Sequence, residues 1–366
     1  MRTESGALIA MSGGVDSSVA ACLTQSLGCR CIGVTMRLFL NGDVGLEPNR
    51  PCCSQKDRDD AAEVARRLGI PHETLDCMID FKLRVIDKFI ASYKAGRTPN
   101  PCIDCNRYLK FGRLLGETSA RGLDYIVTGH YARIERDETS GRWLLKKGVD
   151  LERDQSYVLY AMTQEQLAHT LFPLGNMTKA TVRELAEAQG FVNARKRDSQ
   201  DICFVPNGDY PSFIEQYENA APEPGDFVDA DGRVIGRHKG IIHYTIGQRR
   251  GLGVPAASRL YVSDIDAASN RITLSDGRPL CCAVTLEDIN LISVPSIEDT
   301  MRLGVKTRYR QRELPATVTQ HGVDTLKIVF DSPQPAPAMG QAAVMYDGDV
   351  VVGGGTIAAV DCISVI

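Results

Sequence analysis

A buried strand that runs straight into a glycine turn and then a helix restricts a chain to few folds, and this chain begins that way. Ala7-Leu8-Ile9-Ala10 reads as the strand. Met11-Ser12-Gly13-Gly14-Val15-Asp16-Ser17-Ser18 follows, and Val19, Ala20, Ala21 and Leu23 start a helical pattern. This layout aims backbone N–H groups and the helix dipole at an anion, phosphate above all. Gly13 and Gly14 permit close approach and positive φ. Ser12, Ser17 and Ser18 add hydroxyl donors, and Asp16 is suited to a Mg²⁺ on the phosphates. No Gly-Lys-Ser/Thr follows, so this is not a Walker A loop and lacks that loop's lysine.

The pattern then alternates. Strands are expected at 31–38, 72–75 and 124–128, with helices at 56–68, 81–93 and 109–115. Alternation of this length implies α/β architecture, a doubly wound parallel sheet with its ligand at the strands' carboxyl ends. From 132 the texture changes. Residues 132–136 and 142–147 read as a hairpin, 163–169 and 178–189 as helices, and 199–206 as a polar loop. Pro222-Glu223-Pro224-Gly225 reads as a hinge or boundary, and the turn-rich remainder as β, with 283–366 forming a small closed barrel. The expected division is therefore 1–212, 213–282 and 283–366.

Composition narrows the setting. The chain has 366 residues, 43% apolar and 24% charged, which are globular values. Its net charge of −4 means that any nucleic-acid contact must come from local patches. No apolar run approaches the ~20 residues of a membrane span, and the N-terminus leads into the first strand without a signal peptide, so a cytoplasmic location is expected. There, twelve cysteines do not imply structural disulfides. Cys22, Cys29, Cys31, Cys281, Cys282 and Cys362 fit as small core residues. Cys52-Cys53, Cys102, Cys105 and Cys203 fall in expected loops. Pro99 and Pro101 should exclude helix and hold Cys102-x-x-Cys105 on an extended loop. Such a pair is open to three readings: redox pair, half a zinc site, or cluster ligation. Adjacent Cys52-Cys53 would complete a zinc site poorly. Arg195, Lys196 and Arg197 precede Cys203 and should favour its thiolate. Between 302 and 312, strand alternation would set Lys306, Arg308, Arg310 and Arg312 on one face and Tyr309 on the other. His130, after a strand, suits loop packing or a ligand contact equally.

Ser12-Gly13-Gly14-Val15-Asp16-Ser17-Ser18 resembles the pyrophosphate (PP) loop of the N-type ATP pyrophosphatases. Further segments, in order along nearly the whole chain, resemble the tRNA-specific 2-thiouridylase family. They are Lys94-Ala95-Gly96-Arg97-Thr98-Pro99-Asn100-Pro101, Cys105-Asn106, Thr128-Gly129-His130-Tyr131, Asp154-Gln155-Ser156-Tyr157, Ile202-Cys203-Phe204, Thr245-Ile246-Gly247-Gln248-Arg249 and Val305-Lys306-Thr307-Arg308-Tyr309-Arg310. The resemblance implies an ATP-dependent sulfurtransferase. It would adenylate the C2 oxygen of the wobble uridine (position 34), then insert sulfur from a persulfide on Cys203, with Cys105 attacking that persulfide and ending in a Cys105–Cys203 disulfide. It also implies ATP contacts from Ala10, Met11, Ser12, Gly13, Gly14, Val15, Asp16, Ser17, Met36 and Gly129. Asn100, Pro101 and Cys102 would hold the target base, and Arg153, Asp154, Gln155, Arg308 and Tyr309 would touch tRNA. The implied partners are the lysine, glutamate and glutamine tRNAs and a sulfur donor such as a cysteine desulfurase or relay protein.

One departure stands out. Many family members carry Asp, assigned a general acid/base role, where this chain has Cys102, and a thiol serves that role poorly at neutral pH. Cys102, Cys105 and Cys203 also resemble the set that related PP-loop enzymes use to hold a [4Fe-4S] cluster, so dithiol relay and cluster-assisted transfer both stay open. Two other functions remain as alternatives: a PP-loop ligase acting on a small molecule, and a redox-sensing RNA-binding protein without catalysis.

Overall fold

The computed structural model describes residues 5–40, 42, 55–197, 201–205 and 208–363. Cys52-Cys53 and Asp198-Ser199-Gln200, singled out above, lie outside them. The chain forms two compact units that interleave along the sequence. One comprises 1–86, 101–213 and 349–351, the other 87–100, 214–348 and 352–366.

The first unit contains β1 (Gly6–Ala10), α1 (Val15–Ser26), β2 (Arg30–Arg37), α2 (Gln55–Leu68), β3 (His72–Asp76) and β4 (Tyr125–Val127). The hairpin β5 (Ala132–Arg136) and β6 (Trp143–Lys147) follows, then the two-residue β7 (Thr170–Leu171), which the sequence pattern did not suggest. The sheet runs β3-β2-β1-β4-β7, and every pairing is parallel. The chain leaves central β1 first to one side and later to the other, so its carboxyl end is the topological switch point where such sheets bind ligands. Alanines 20, 21, 61 and 65 are buried in this core, and their small side chains let α1 and α2 lie close to the sheet.

Two expectations change here. Residues 95–107 are not one extended loop: Pro101–Asp104 is a helical turn, continued by a π-helix over Cys105–Arg113. Pro101 stands first in the turn, where its fixed φ suits a helix and its missing N–H costs nothing. The helix expected at 81–93 is also interrupted, α over Met78–Phe81, π over Lys82–Ile86 and α again over Asp87–Lys94.

The second unit holds a sheet of β8 (Gly225–Val228), β9 (Val234–His238), β10 (Tyr261–Asp266) and β11 (Arg271–Ser275), ordered β10-β11-β8-β9. The Pro222–Gly225 stretch is no loose hinge. Asn270 Nδ2 donates to the Glu223 and Pro224 carbonyls at 3.2 and 3.3 Å, and a Cβ on Gly225 would lie 2.1 Å from the Asn270 carbonyl oxygen. The barrel strands are β12 (Leu280–Leu291), β13 (Thr300–Lys306), β14 (Leu314–Gln320), β15 (Leu326–Pro335), β16 (Ala342–Asp347) and β17 (Val350–Ile363). They run β12-β15-β14-β13-β16-β17, and pairing of β12 with β17 closes an antiparallel barrel. Among the described residues no helix is long and apolar enough to cross a membrane.

Candidate functional site

The glycine loop leaves the carboxyl end of β1 with its start pinned to β2. Met11 N donates to the Val34 carbonyl at 2.8 Å, and Thr35 Oγ1 donates to the Met11 carbonyl at 2.7 Å. Gly13 has φ +72°, and a Cβ there would sit 2.1 Å from the Asp57 carbonyl oxygen, so the first turn of α2 backs the loop directly. Gly14 caps α1 in extended conformation. Across the loop, a Cβ on Gly129 would meet the Asp16–Ser17 peptide at 2.7–2.8 Å. Both glycines are therefore required by close approach.

The serines divide their work differently from the expectation. Ser17 and Ser18 are buried, and each hydroxyl donates to the Gly14 carbonyl at 3.0 Å; Ser17 Oγ also accepts from Ser12 N at 3.1 Å. They brace the loop, leaving exposed Ser12, half-buried Gly14 and the first amides of α1 to meet a ligand. Ala10 and Met36 are half-buried, whereas Val15 is buried.

Asp16 is bound more tightly than a waiting Mg²⁺ ligand. Lys179 Nζ donates to both its carboxylate oxygens, at 2.8 and 2.9 Å, and Tyr131 OH donates to Oδ1 at 2.8 Å. A Mg²⁺ at this residue would have to displace a lysine, so the arrangement does not fit the metal role. Lys179 opens the Lys179–Ala188 helix, which Thr178 caps, and its backbone N–H is held by Asp150 Oδ2 at 2.9 Å. It brings to the loop the lysine that a Walker loop carries in its own sequence.

A second lysine sits behind the glycines. Lys196 Nζ donates to the Gly13 carbonyl at 3.0 Å and to the carboxylates of Asp57 and Asp60. Burial opposes its charge, but the two carboxylates outweigh burial and raise its pKa. Buried Asn193 donates to the same Gly13 carbonyl and to Ser18 Oγ, at 3.0 and 2.9 Å, while its Oδ1 has no donor among the described residues. Lys196 is thus spent on the loop and Arg195 on Glu187, which removes two of the three cations expected to activate Cys203.

Cys102 lies in the Pro101–Asp104 turn and Cys105 opens the π-helix, whose next residue, buried Asn106, donates to the Val158 carbonyl at 3.0 Å. Burial raises the Cys102 thiol against the pull of Lys110, although the residue as a whole is exposed. Cys105 and Cys203 are half-buried, and the described cysteines are not in disulfides. Phe204 fixes the Cys203 segment by packing on Phe81 and Phe213, ring centroids 5.6 and 5.3 Å away. Among the described residues no three His, Cys, Asp or Glu side chains form a group able to hold a metal ion. Cys102, Cys105 and Cys203 therefore do not fit a [4Fe-4S] cluster as arranged.

His130 is a packing residue. It is buried against Phe111 and Phe172 and shares a 2.7 Å hydrogen bond with Thr128. Burial first, then nearby Lys110, holds its imidazole well below the ordinary value. Below pH 6.5 the unfolded chain takes up a proton that the folded chain refuses. This group's contribution therefore falls with pH by up to about 1.4 kcal/mol per unit. His130→Gln is expected to flatten the urea midpoint against pH between 6.5 and 5; a wild-type slope would contradict the assignment.

The residues expected to touch tRNA are not equivalent. Arg153 is exposed, but Asp154 is buried and accepts from Gly148 N, Ser156 N and Ser156 Oγ at 3.1, 3.1 and 2.8 Å. Gln155 Oε1 accepts from Tyr131 N at 3.0 Å, which ties this stretch, through Tyr131, to Asp16. Asn100 is half-buried and Pro101 buried.

In the second unit, the expected basic face breaks up. Strand β13 ends at Lys306 because Gln311 Oε1 accepts from Thr307 N and Oγ1, at 3.0 and 2.8 Å, and folds 307–311 into a turn. Lys306 lies over the Tyr346 ring at 5.0 Å, and Arg302 pairs with Asp331. Arg308, Tyr309, Arg310 and Arg312 are the exposed remainder.

Residues 6–207 match the family described as the tRNA methyl transferase HUP domain, 211–276 the tRNA methyl transferase PRC-barrel domain, and 282–357 the aminomethyltransferase beta-barrel domain. The chain is 48% identical over 351 residues to the tRNA-specific 2-thiouridylase MnmA of Clostridioides difficile (strain 630), covering 96% of this chain and 97% of that protein. It is 46% identical over 352 residues to the same-named protein of Acetivibrio thermocellus, covering 96% and 98%.

Proposed function

The chain belongs to the tRNA-specific 2-thiouridylase family, and on that premise we propose how its residues divide the reaction. It is an ATP-dependent sulfurtransferase that makes 2-thiouridine in tRNA. The observation that carries the reading is one compact unit holding both the braced glycine loop and Cys102, Cys105 and Cys203. The N-terminal residues 1–212 are assigned the nucleotide and sulfur chemistry, 213–282 a central β domain, and 283–366 the barrel that meets tRNA.

ATP phosphates lie on the α1 amides and the Ser12–Gly14 backbone, with Lys179 beside them. The wobble uridine C2 oxygen attacks the α-phosphorus and expels pyrophosphate, so the C2 oxygen can later leave with AMP. Cys203 carries a terminal sulfur as persulfide. The Cys105 thiolate attacks the inner sulfur, forming the Cys105–Cys203 disulfide and releasing hydrosulfide, which adds at C2 and expels AMP. The disulfide needs a two-electron thiol reductant to reset. One of the two cysteine segments moves to let the sulfurs meet. No step passes through an iron–sulfur cluster or through Mg²⁺ on Asp16. Lysine, glutamate and glutamine tRNAs are the proposed substrates, and a cysteine desulfurase or sulfur-relay protein the donor.

The direct test is anaerobic incubation with unmodified tRNA, Mg²⁺ and a persulfide donor, with and without ATP, then digestion and mass spectrometry. ATP-dependent 2-thiouridine is expected. Absence of 2-thiouridine with a working donor and a positive control would point instead to a ligase acting on a small molecule. In the same reading, Arg308→Ala should weaken tRNA binding and lower the slope of log affinity against log salt by about one. Unchanged affinity and slope would remove Arg308 from the interface.

A further inference from the structure

Three cysteines stand outside this chemistry, at the pairing that closes the barrel. Cys281 on β12 is directly opposite Cys362 on β17, and Cys282 occupies the bulge between Cys281 and Ala283. The Cys282 thiol points to the Asp361 carbonyl at 3.8 Å. Opposed residues of antiparallel strands have Cα atoms about 4.5–5.5 Å apart, inside the roughly 4.4–6.8 Å that a disulfide spans. A disulfide needs the two Cβ atoms drawn together, and β17 ends one residue on, at Ile363, where a strand end can shift. Cys281 is fully buried and Cys362 exposed, so the pair joins a sheltered sulfur to an accessible one.

On its other side Cys281 pairs with Gln334 of β15. Buried Gln334 accepts from Gln311 Nε2 at 3.2 Å, and Gln311 in turn closes the 307–311 turn through Thr307. A run of neighbouring polar groups thus leads from the thiol pair to Arg308 and Tyr309. We propose that Cys281 and Cys362 form a reversible redox site whose disulfide shifts the Gln334–Gln311 support of that turn and weakens the grip on tRNA. The second half rests on the turn being a tRNA contact; the first half does not.

The co-reactant is a low-molecular-weight disulfide. The Cys362 thiolate attacks it, releasing one small thiol and leaving a mixed disulfide. Cys281 then attacks the Cys362 sulfur, forming the protein disulfide and releasing the second small thiol. The protein gives up two electrons and two protons, which leave on the two small thiols. Burial raises both thiols, Cys281 up to about 12, so it is the exposure of Cys362 that makes it the first to react.

The test treats the full chain with glutathione disulfide, alkylates the remaining thiols, and maps peptides by mass spectrometry. A dithiothreitol-reversible Cys281–Cys362 cross-link is expected, absent in Cys362→Ser. Affinity for an unmodified tRNA transcript should fall several-fold on oxidation of the wild type and hold steady in Cys362→Ser. That variant controls for any Cys105–Cys203 disulfide. Glutathione retained on Cys362, a Cys282 cross-link, or full alkylation of Cys281 would overturn the site. A correct cross-link with unchanged affinity would overturn the coupling if Arg308→Ala weakens binding. If Arg308→Ala binds as wild type, the tRNA reading of the turn fails, the coupling built on it falls, and the cross-link alone decides the redox site.

Discussion

Replacing Cys203 by Ala is expected to lower 2-thiouridine formation by on the order of 10³-fold or more while leaving ATP binding unchanged, and Cys105→Ala should do the same. Each removes one sulfur from a half-buried position, so the fold should tolerate both. Phe204 continues to anchor the 201–205 segment among Phe81 and Phe213, and Ala is the residue most favourable to the helix that Cys105 opens. The glycine loop assigned to ATP is braced by Ser17, Asn193 and Lys196, none of which bonds either cysteine in the hydrogen bonds described above. Calorimetric ATP binding and mass-spectrometric 2-thiouridine on the same preparations separate the two properties. Full thiolation by either variant would refute the dithiol relay.

Gly13→Ala is expected to remove ATP-dependent turnover and destabilise the protein by roughly 3 kcal/mol. Two effects add. A left-handed backbone costs a non-glycine residue about 1–2 kcal/mol. The new Cβ also falls 2.1 Å from the Asp57 carbonyl oxygen, a backbone atom that can yield only if the first turn of α2 moves. That turn carries Asp57 and Asp60, which hold Lys196 against the loop. Gly28→Ala is the control: φ is +80° there, but nothing lies within 4 Å of its Cβ. Gly28→Ala should cost the strain alone and keep activity. Equal losses in the two variants, by thermal melting and pyrophosphate release, would show that the α2 contact is immaterial.

What could be read in advance was what neighbouring residues dictate. The first strand, glycine loop and helix were legible because each signal is local, and the barrel because its turns recur. Lys179 was not, because its partner Asp16 is 163 positions away. A clue was nonetheless present: a cation at the start of a helix opposes the dipole, so it implies an anion from elsewhere in the fold. Pro101 misled because a proline that opens a helix looks like one that forbids it. The basic run at 302–312 misled because side-chain capture by Gln311 ends the strand, and no periodicity encodes that. Asp154, which the resemblance placed at tRNA, is instead buried with three donors, and nothing in its neighbours encodes that.

The interleaving of the two units also dictates an order of events during synthesis. Residues 87–100 emerge from the ribosome early, yet their partners come last. Thr98 N bonds the Met339 carbonyl at 2.8 Å, Lys94 pairs with Glu218, and Gly96 lies against Ile265. Until those residues arrive, Phe89, Ile90 and Tyr93 have no finished core to enter. The nascent chain therefore carries an apolar segment in waiting, a natural client for a holding chaperone. An N-terminal fragment cut near residue 212 would carry that debt permanently, and should aggregate unless the rest of the chain is supplied in trans.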